Sequence, residues 1–319
     1  MSAGNRWQLQ WVAPFTILIG SIMIWLADFR PALASSGAAD FQEIADGVYV
    51  RAGRTALLFD ADNVANTGFI IGTRCVAVID TGGSVAEGRA IDDAIRKLTE
   101  LPVCFVINTH VHPDHILGNK AFDRENVTFA GHAKLPRAMA LRGDTYLERA
   151  AEHSGEAADA SQIVLPERTV EGEVQLDLGA RILILRAHAT AHTDNDLTVF
   201  DERTATLFLG DLAFLEHLPV LDGSINGWLG ELDTLMRRKA ERVVPGHGPT
   251  HAGWPAAGEP TVDYLRDLRA ATLEWIANGG ELGEAQEAIK VNHPERWRLV
   301  EEYHKRNIGA AFAELEWED

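Results

Sequence analysis

The chain has 319 residues, of which 46% are hydrophobic and 24% are charged, and this balance is typical of a folded globular protein. The composition excludes a disordered or fibrous protein, and the length allows a large buried core. The net charge of −18 at pH 7 disfavours nucleic acid as a partner, because a polyanion would be repelled. The longest basic run, residues 237–239, has a helical pattern and is expected on a solvated helix face.

The N-terminus is predicted to direct export. Arg6 precedes an uncharged apolar run over residues 11–27, and residues 32–34 (Ala-Leu-Ala) have the small-residue spacing of a cleavage site. Because the apolar run is also close to the length of a bilayer span, residues 1–34 are expected to be either a cleaved signal peptide or an N-terminal membrane anchor. In both cases the domain of residues 35–319 would be periplasmic or otherwise extracytoplasmic, secreted or tethered to the membrane.

The apolar pattern predicts alternating strands and helices in the rest of the chain. Strands are expected within residues 41–80 and at residues 103–108, 181–185, 197–200, 206–209 and 243–244. Helices are expected from residue 87 to residue 98, at 136–162 and at 229–240, followed by two amphipathic helices in 258–319 with breaks near Gly279-Gly280 and Pro294. This order is typical of an α/β fold, in which sites form beyond the carboxyl ends of strands.

The two cysteines, Cys75 and Cys104, each lie in an apolar stretch that is predicted to be a strand. They are too few for a disulfide scaffold, and their spacing is not that of a metal knuckle or a redox pair. The favoured interpretation is two buried thiols that act as small hydrophobic side chains. They could pair in an oxidising compartment if their strands are neighbours.

Four metal-binding side chains follow the strand at residues 103–108, namely His110, His112, Asp114 and His115. His110 and His112 are two positions apart and would project to the same side of an extended backbone. Pro113 then forces a turn, so that Asp114 and His115 would begin the next helix. The four side chains would therefore form two pairs aimed at slightly different points, an arrangement that favours two metal ions over one.

Three further candidates follow later strands. They are His192 in Ala-His-Thr-Asp-Asn-Asp-Leu, Asp211 in Leu-Gly-Asp-Leu and His247 in Pro-Gly-His-Gly-Pro. Each of them alone is weak evidence, because Gly-Asp and Gly-His pairs are common in turns. Together with the first four, and in this order, they complete a set of seven ligands.

The sequence resembles the metallo-β-lactamase superfamily over residues 41–249. It has, in order, the Asp-x-Gly at Asp80, the His-x-His-x-Asp-His segment, the later histidine, the Gly-Asp and the final Gly-His. The resemblance implies an α/β fold built as a four-layer αββα sandwich. It also implies that His110, His112 and His192 hold one metal, that Asp114, His115 and His247 hold a second, that Asp211 bridges them, and that Asp80 supports the ligands from behind.

Imidazole and carboxylate ligands favour two Zn²⁺ ions, although iron or manganese would also suit them. Two metals sharing a water would provide a hydroxide at neutral pH, Asp114 would orient it, and an ester, thioester, lactone or amide-type carbonyl would be attacked. Within the superfamily, the aspartate at position 211 makes the chain similar to glyoxalase II-like thioesterases, which keep a bridging aspartate there. β-Lactamases with two zincs tend to have cysteine or serine at this position. β-Lactamase activity therefore remains only an alternative.

The export signal, residues 217–228 and the C-terminal segment at residues 303–307 are similar to the quinoprotein relay system zinc metallohydrolases. This resemblance implies a quinoprotein or sulfur-oxidation context without a defined substrate. The substrate is expected to be a small molecule. His217 and Asp222 are predicted to line the substrate pocket, with an ordered loop packed on the core as the alternative. For Trp228 packing on the core is the favoured interpretation.

Two other functions stay open. A mononuclear iron persulfide dioxygenase uses a nearly identical ligand set, and a non-catalytic accessory protein of a quinoprotein dehydrogenase would also carry these motifs. The remaining histidines without a partner in the motif set are expected to be structural. They are His132, His153, His188, His251, His293 and His304.

Overall fold

Two β-sheets face each other in the computed structural model, which describes Met1 and residues 41–61, 63–154, 159 and 162–318. By its internal contacts the chain divides into two units, residues 1–37 and residues 38–319. Apart from Met1, the predicted leader of residues 1–34 lies outside the described residues. Among the residues that are described, no helix is both long enough and apolar enough to cross a membrane.

The first sheet has seven strands that lie side by side in chain order. They are β1 (Gln42–Ala45), β2 (Val48–Arg51), β3 (Thr67–Ile71), β4 (Val76–Ile79), β5 (Val103–Ile107), β6 (Thr128–His132) and β7 (Arg168–Val170). Strands β1 to β4 are antiparallel, and β4 to β7 are parallel. Parallel neighbours require crossovers, which contain α1 (Val85–Leu98), α2 (Pro113–Ile116) and α3 (Leu135–Ser154).

The second sheet has six strands in the order β13-β12-β11-β10-β9-β8. They are β8 (Glu173–Asp177), β9 (Ile182–Ala187), β10 (Leu197–Asp201), β11 (Thr206–Phe214), β12 (Arg242–His247) and β13 (Ala252–Gly253). Helix α4 (Ile225–Leu235) connects the parallel pair β11 and β12. The chain ends with α5 (Glu259–Ala277), α6 (Leu282–Ala288) and α7 (Val300–Leu315).

The side chains of β4 show why these elements form four layers. Val76 and Val78 pack in one apolar cluster with Ile91 of α1, whereas Ala77 and Ile79 point the other way, into a cluster shared with the second sheet. Successive side chains of a strand point to opposite faces of the sheet, so both sets are buried only when another layer packs on each face. A third apolar cluster packs the second sheet against α4, α5 and α7. The predicted αββα sandwich is therefore confirmed.

Several predicted boundaries differ from the structure. The helix predicted at residues 136–162 is α3 over Leu135–Ser154, and residues 155–158, 160 and 161 lie outside the described residues. The helix predicted at 229–240 begins four residues earlier, where Ser224 accepts a hydrogen bond from the Gly227 N–H as the N-cap. The C-terminal region has three helices, because the segment between Gly279-Gly280 and Pro294 folds as the short helix α6. The strand at residues 243–244 is followed by a further short strand, β13.

The favoured interpretation of the cysteines was wrong, because Cys75 and Cys104 form a disulfide. Strands β4 and β5 are parallel neighbours with Val76 opposite Val103, so the residues beside them, Cys75 and Cys104, have Cα atoms 5.8 Å apart. That separation lies within the range that a disulfide needs. The sequence alone did not show that these two strands are adjacent.

Candidate metal centre

The seven predicted ligands come together in two groups at the carboxyl ends of the central strands. One group contains His110, His112, His192 and Asp211, and the other contains Asp114, His115 and His247. Within each group, one ligand atom of each residue lies within 4.8 Å of the others. All but His112 are buried, and the side chain of His112 is only 12% exposed.

The sequence folds locally so that these side chains converge. His110 and His112 follow the end of β5, Pro113 opens α2, and Asp114 and His115 occupy its first turn. From the second sheet, Asp211 lies in β11 and His247 ends β12, the parallel strand beside it. His192 lies in the loop between β9 and β10.

Three imidazole nitrogens meet in the first group. His112 Nδ1 lies 3.0 Å from His110 Nε2 and 3.0 Å from His192 Nε2. The opposite nitrogen of each ring contacts an oxygen: Thr109 Oγ1 for His110, Asp222 Oδ2 for His112 and the Val220 carbonyl for His192. A neutral ring that donates its one N–H outwards has only a lone pair on the inner side.

Three lone pairs facing one another repel unless a cation lies among them. Zinc–nitrogen bonds of about 2.0–2.1 Å in a tetrahedral site place neighbouring donor atoms about 3.3 Å apart, close to the separations in the first group. The residues present therefore fit a divalent metal at this position.

Asp211 lies between the two groups. Its Oδ2 atom is 3.4 Å from His192 Nε2 and 3.3 Å from His247 Nε2, while Oδ1 is 3.3 Å from His115 Nε2. One carboxylate thus faces histidines of both groups. This is the position that the sequence predicted for a bridging ligand.

The second group contains buried atoms that lack a hydrogen-bond partner. They are Asp114 Oδ2, His115 Nε2 and, from the shared carboxylate, Asp211 Oδ1. Asp114 Oδ2 is 3.6 Å from His115 Nε2 and 3.5 Å from His247 Nε2. Because a buried polar atom without a partner destabilises a fold by about 1–3 kcal/mol, three such atoms facing one another indicate a second position that a cation would satisfy.

Asp80 supports the ligands from behind, where the sequence placed it. Its Oδ2 atom lies 2.8 Å from His115 Nδ1 and accepts a 2.8 Å bond from the Thr109 hydroxyl, and its Oδ1 accepts from the Thr109 N–H. The His115 proton is thereby held on Nδ1, and Nε2 faces the centre. Asp80 itself has the left-handed φ of 55°, which is uncommon for a residue other than glycine and is maintained by these bonds.

The glycines before Asp211 and His247 are required by close packing. A Cβ on Gly246 would lie 1.9 Å from Asp211 Oδ1, and a Cβ on Gly210, which has a φ of +52°, would lie 2.7 Å from the Thr109 Cβ. Any side chain at either position would displace the shared carboxylate or the strand that precedes His110. The Gly-Asp and Gly-His motifs are thus packing requirements of the centre.

The two groups hold protons differently. Burial lowers the pKa of His110 well below its ordinary value and lowers that of His192 to about 3. Burial acts in the same direction on His115 and His247, but the carboxylates Asp114 and Asp211 outweigh it and raise both pKa values. Burial opposes ionisation of Asp211, but the surrounding histidines hold its pKa well below the ordinary value.

A cavity of about 560 Å³ opens beside the centre and reaches Asp114. Leu58, Phe59, Pro113 and Leu147 provide apolar parts of its lining, and Arg89 adds a cation. Of the seven ligands, Asp114 is the one that lines this cavity.

The residues predicted to line the substrate pocket lie behind the histidines, and neither His217 nor Asp222 lines this cavity. The buried His217 ring is 4.9 Å from the ring of His247. Asp222 lies 3.0 Å from His112 Nε2 and forms ion pairs with Arg142 and Arg306. Their pocket role stays a prediction.

Trp228 is fully buried, as expected, with its ring 5.3 Å from that of His192 and its Nε1–H donating to the Leu212 carbonyl. The histidines that were expected to be structural are outside both groups, as far as the structure describes the chain. His188, for example, contacts Glu231 and Thr198.

Sequence reasoning missed several residues that hold the centre together. Asn66 donates to the Pro245 and Pro249 carbonyls on either side of His247, and Asn307 of α7 bonds the loop behind His192. Isolated asparagines have no motif, and these bonds join residues 86 to 183 positions apart. No pattern in the sequence could have identified them.

A family model for the metallo-β-lactamase superfamily matches residues 61–247, a range that contains all seven ligands. A linear primary-alkylsulfatase from Pseudomonas sp. (strain ATCC 19151) is 23% identical over 253 residues, covering 67% of this chain and 48% of that protein. The chain thus spans about half the length of this relative. The acyl-coenzyme A thioesterase MBLAC2 from Bos taurus is 27% identical over 216 residues, which cover 59% of this chain and 75% of the thioesterase.

Solved structures have the same fold. A metallo-β-lactamase from Pontibacter korlensis superposes with a TM-score of 0.59 and 19% identity, over 71% of this chain and 98% of that one. The sec-alkylsulfatase Pisa1 from Pseudomonas sp. superposes with a TM-score of 0.69 and 17% identity, over 88% of this chain and 51% of that one.

Proposed function

The chain belongs to the metallo-β-lactamase superfamily, and from that premise we propose that it is a metal-dependent hydrolase. In this proposal it is an exported di-zinc enzyme acting on a carbonyl of the ester, thioester, lactone or amide type. One observation carries the proposal. Asp211 faces histidines of both groups, and in the second group Asp211 Oδ1, Asp114 Oδ2 and His115 Nε2 are buried without hydrogen-bond partners.

We assign the ligands as the sequence predicted them. His110, His112 and His192 would hold the first metal, Asp114, His115 and His247 the second, and Asp211 both. When bound, the metals supply a nucleophile from water at neutral pH and polarise the carbonyl oxygen. Neutral imidazoles and carboxylates favour zinc, and iron or manganese are the alternatives.

The protein's own residues would orient the reaction. Asp114 lines the cavity, and the carboxylate oxygen that does not hold the metal would accept a hydrogen bond from the nucleophile and so aim it. Asp80 fixes the proton of His115 on Nδ1, and the Val220 carbonyl fixes that of His192, so that the inner nitrogens remain ligands. The apolar wall around Leu58 and Leu147 would exclude water from the substrate.

Two substrate classes receive support from the relatives. The thioesterase name of one relative favours a thioester, in agreement with the aspartate at position 211. The alkylsulfatase relative makes a sulfate ester the second candidate. β-Lactamase activity is a weaker alternative, because only the fold of the β-lactamase structures is shared at 19% identity.

Export and a quinoprotein partner are part of the proposal. The Cys75–Cys104 disulfide supports export, because disulfides persist mainly outside the cytoplasm. The quinoprotein context depends only on the resemblance of residues 217–228 and 303–307 to the quinoprotein relay group. A small-molecule substrate would then come from a quinoprotein or sulfur-oxidation system.

The test is a substrate panel on purified residues 35–319 loaded with zinc. Thioesters, lactones, alkyl sulfates, β-lactams and phosphodiesters would be compared, with Asp211→Ala as the inactive control and metal content measured in parallel. Thioester or carboxylic ester turnover with about two zincs is expected. A single iron with oxygen uptake on a persulfide would identify a dioxygenase instead. An Asp114→Ala protein that abolished turnover but kept its biological role would identify an accessory protein.

A further inference from the structure

The loop between β11 and α4, residues 215–224, contacts histidines of both ligand groups. The Val220 carbonyl accepts the Nδ1–H of His192 at 2.6 Å, and Asp222 Oδ2 lies 3.0 Å from His112 Nε2. The ring of His217 lies 4.9 Å from that of His247, tilted by 30°. This β11–α4 loop, which is neither strand nor helix, therefore sets the orientation of two of the three histidines in the first group.

The C-terminal helix α7 contacts this loop at Arg306, Asn307 and Glu314, and the buried amide of Asn307 is the contact nearest Val220. Asn307 is fully buried, and its Oδ1 accepts the Leu221 N–H at 2.9 Å while its Nδ2 donates to the Pro219 carbonyl at 2.6 Å. The two bonds are on either side of Val220. The first bond holds the peptide unit that contains the Val220 carbonyl, on which His192 rests, and the second holds the peptide unit before it.

The same amide is anchored from behind. Asn307 Nδ2 also donates to the Tyr264 hydroxyl at 2.8 Å, and that hydroxyl lies 3.1 Å from His304 Nδ1. The amide thus uses both N–H groups and its oxygen, and it has one orientation. A fully satisfied buried network of this kind is rigid.

We infer that Asn307 is a positioning residue for the first metal, acting on His192 through the Val220 carbonyl. This inference rests on the proposed metal centre. It assigns to helix α7, which lies outside the region that matches the family model, a role in the affinity of one metal and not of the other. The Asp114, His115 and His247 group has no direct contact with Asn307 among the bonds that the structure describes.

The experiment measures zinc affinity in each step rather than turnover. Metal-free protein would be titrated with Zn²⁺ against a chromophoric chelator, with His192→Ala and His247→Ala as references that identify the first and second steps. Asn307→Ala is expected to weaken the first step about tenfold, the lower end of the effect of residues behind a ligand, and to leave the second step unchanged. Co²⁺ loading would show the same selectivity in the d–d spectrum.

Tyr264→Phe is the matched control, because it removes a hydrogen bond from the same buried network and leaves both bonds between Asn307 and the loop in place. It should lower thermal stability without changing either zinc step. Asn307→Asp keeps the acceptor for the Leu221 N–H and serves where Asn307→Ala does not yield folded protein. A smaller selective loss is expected for it.

Three results would overturn the inference. The first is an unchanged zinc affinity in the first step of both Asn307→Ala and Asn307→Asp. The second is an equal loss of zinc affinity in both steps, and the third is a selective loss of affinity in the first step of Tyr264→Phe as well. If the wild-type chain bound no zinc, the proposed function would fail too. A wild type with two zinc steps and an unaffected Asn307 variant would refute the positioning role alone.

Discussion

The two ligand groups differ in what holds them ready for metal. In the first group burial keeps His110 and His192 neutral, with pKa values lowered well below the ordinary value and to about 3 respectively. In the second group carboxylates raise the pKa values of His115 and His247, so the metal-free group tends to hold protons. A metal can enter the first group without displacing those protons, whereas at the second it competes with them.

The largest effect is expected at the residue that the groups share. Asp211→Ala removes the carboxylate that faces both groups and leaves the buried histidines without it. Both zinc steps should weaken, and kcat/KM should fall at least about 1000-fold, equivalent to about 4 kcal/mol of transition-state stabilisation. Kinetics and metal analysis would measure this, with exposed Asp233→Ala as the control. Retention of one wild-type zinc step would show that Asp211 belongs to a single metal.

The next effect is the pH dependence of the two steps. A histidine with a raised pKa stabilises the metal-free fold fully below its unfolded pKa of about 6.5, and this stability is lost as the pH rises through the raised value. Zinc binding requires the opposite protonation state. The second step should therefore weaken about tenfold per pH unit for each displaced proton as the pH falls, while the first step should change less.

Calorimetric zinc titration in buffers of different ionisation enthalpy would count the released protons. The His192→Ala protein isolates the second group, and the His247→Ala protein isolates the first. The pKa shifts of the histidines predict that the two groups release different numbers of protons. Equal proton release in both variants would contradict this prediction.

The two carboxylates behind the ligands allow each group to be changed separately. Asp80 contacts His115, and Asp222 contacts His112. Asp80→Asn should weaken the second zinc step about 10–100-fold, and Asp222→Asn should weaken the first by a similar factor. Chelator competition would measure both. Each variant is the control for the other, so a loss in the same step for both would contradict the assignment.

The sequence predicted the ligands better than their supports, for a physical reason. His110 to His115 are neighbours in the chain. Asp211 and His247 each follow a glycine at a position where no side chain would fit. A motif therefore remains visible in the sequence. Asn66 and Asn307 act through hydrogen bonds to backbone groups far away in the chain, and no local pattern accompanies such bonds.

For the strands and helices, too, local patterns could be predicted and contacts between distant parts of the chain could not. Continuous apolar runs predicted β4 and β5, because a strand that is buried on both faces has apolar side chains at successive positions. Apolar residues at helical spacing predicted the helix between them. These patterns did not predict that Cys75 would meet Cys104, since adjacency of strands depends on the topology of the whole sheet. The start of α4 was misplaced because the cap at Ser224, rather than apolar periodicity, determines where this helix begins.

The smallest effect on the two zinc steps is expected from the disulfide, although its effect on stability is substantial. Cys75 and Cys104 close a segment with a sequence separation of 29, so Cys104→Ala should lower the free energy of unfolding by about 3–4 kcal/mol. Both zinc steps should stay within about twofold of wild type, because β4 and β5 remain paired by their backbone bonds. Denaturant unfolding with and without a reductant would measure the first effect, and chelator competition the second. Adding reductant should bring wild type to the stability of Cys104→Ala and leave that variant unchanged. A selective loss of one zinc step would instead mean that the alignment of β4 with β5, and through it the position of Asp80 relative to His110, depends on the covalent bond.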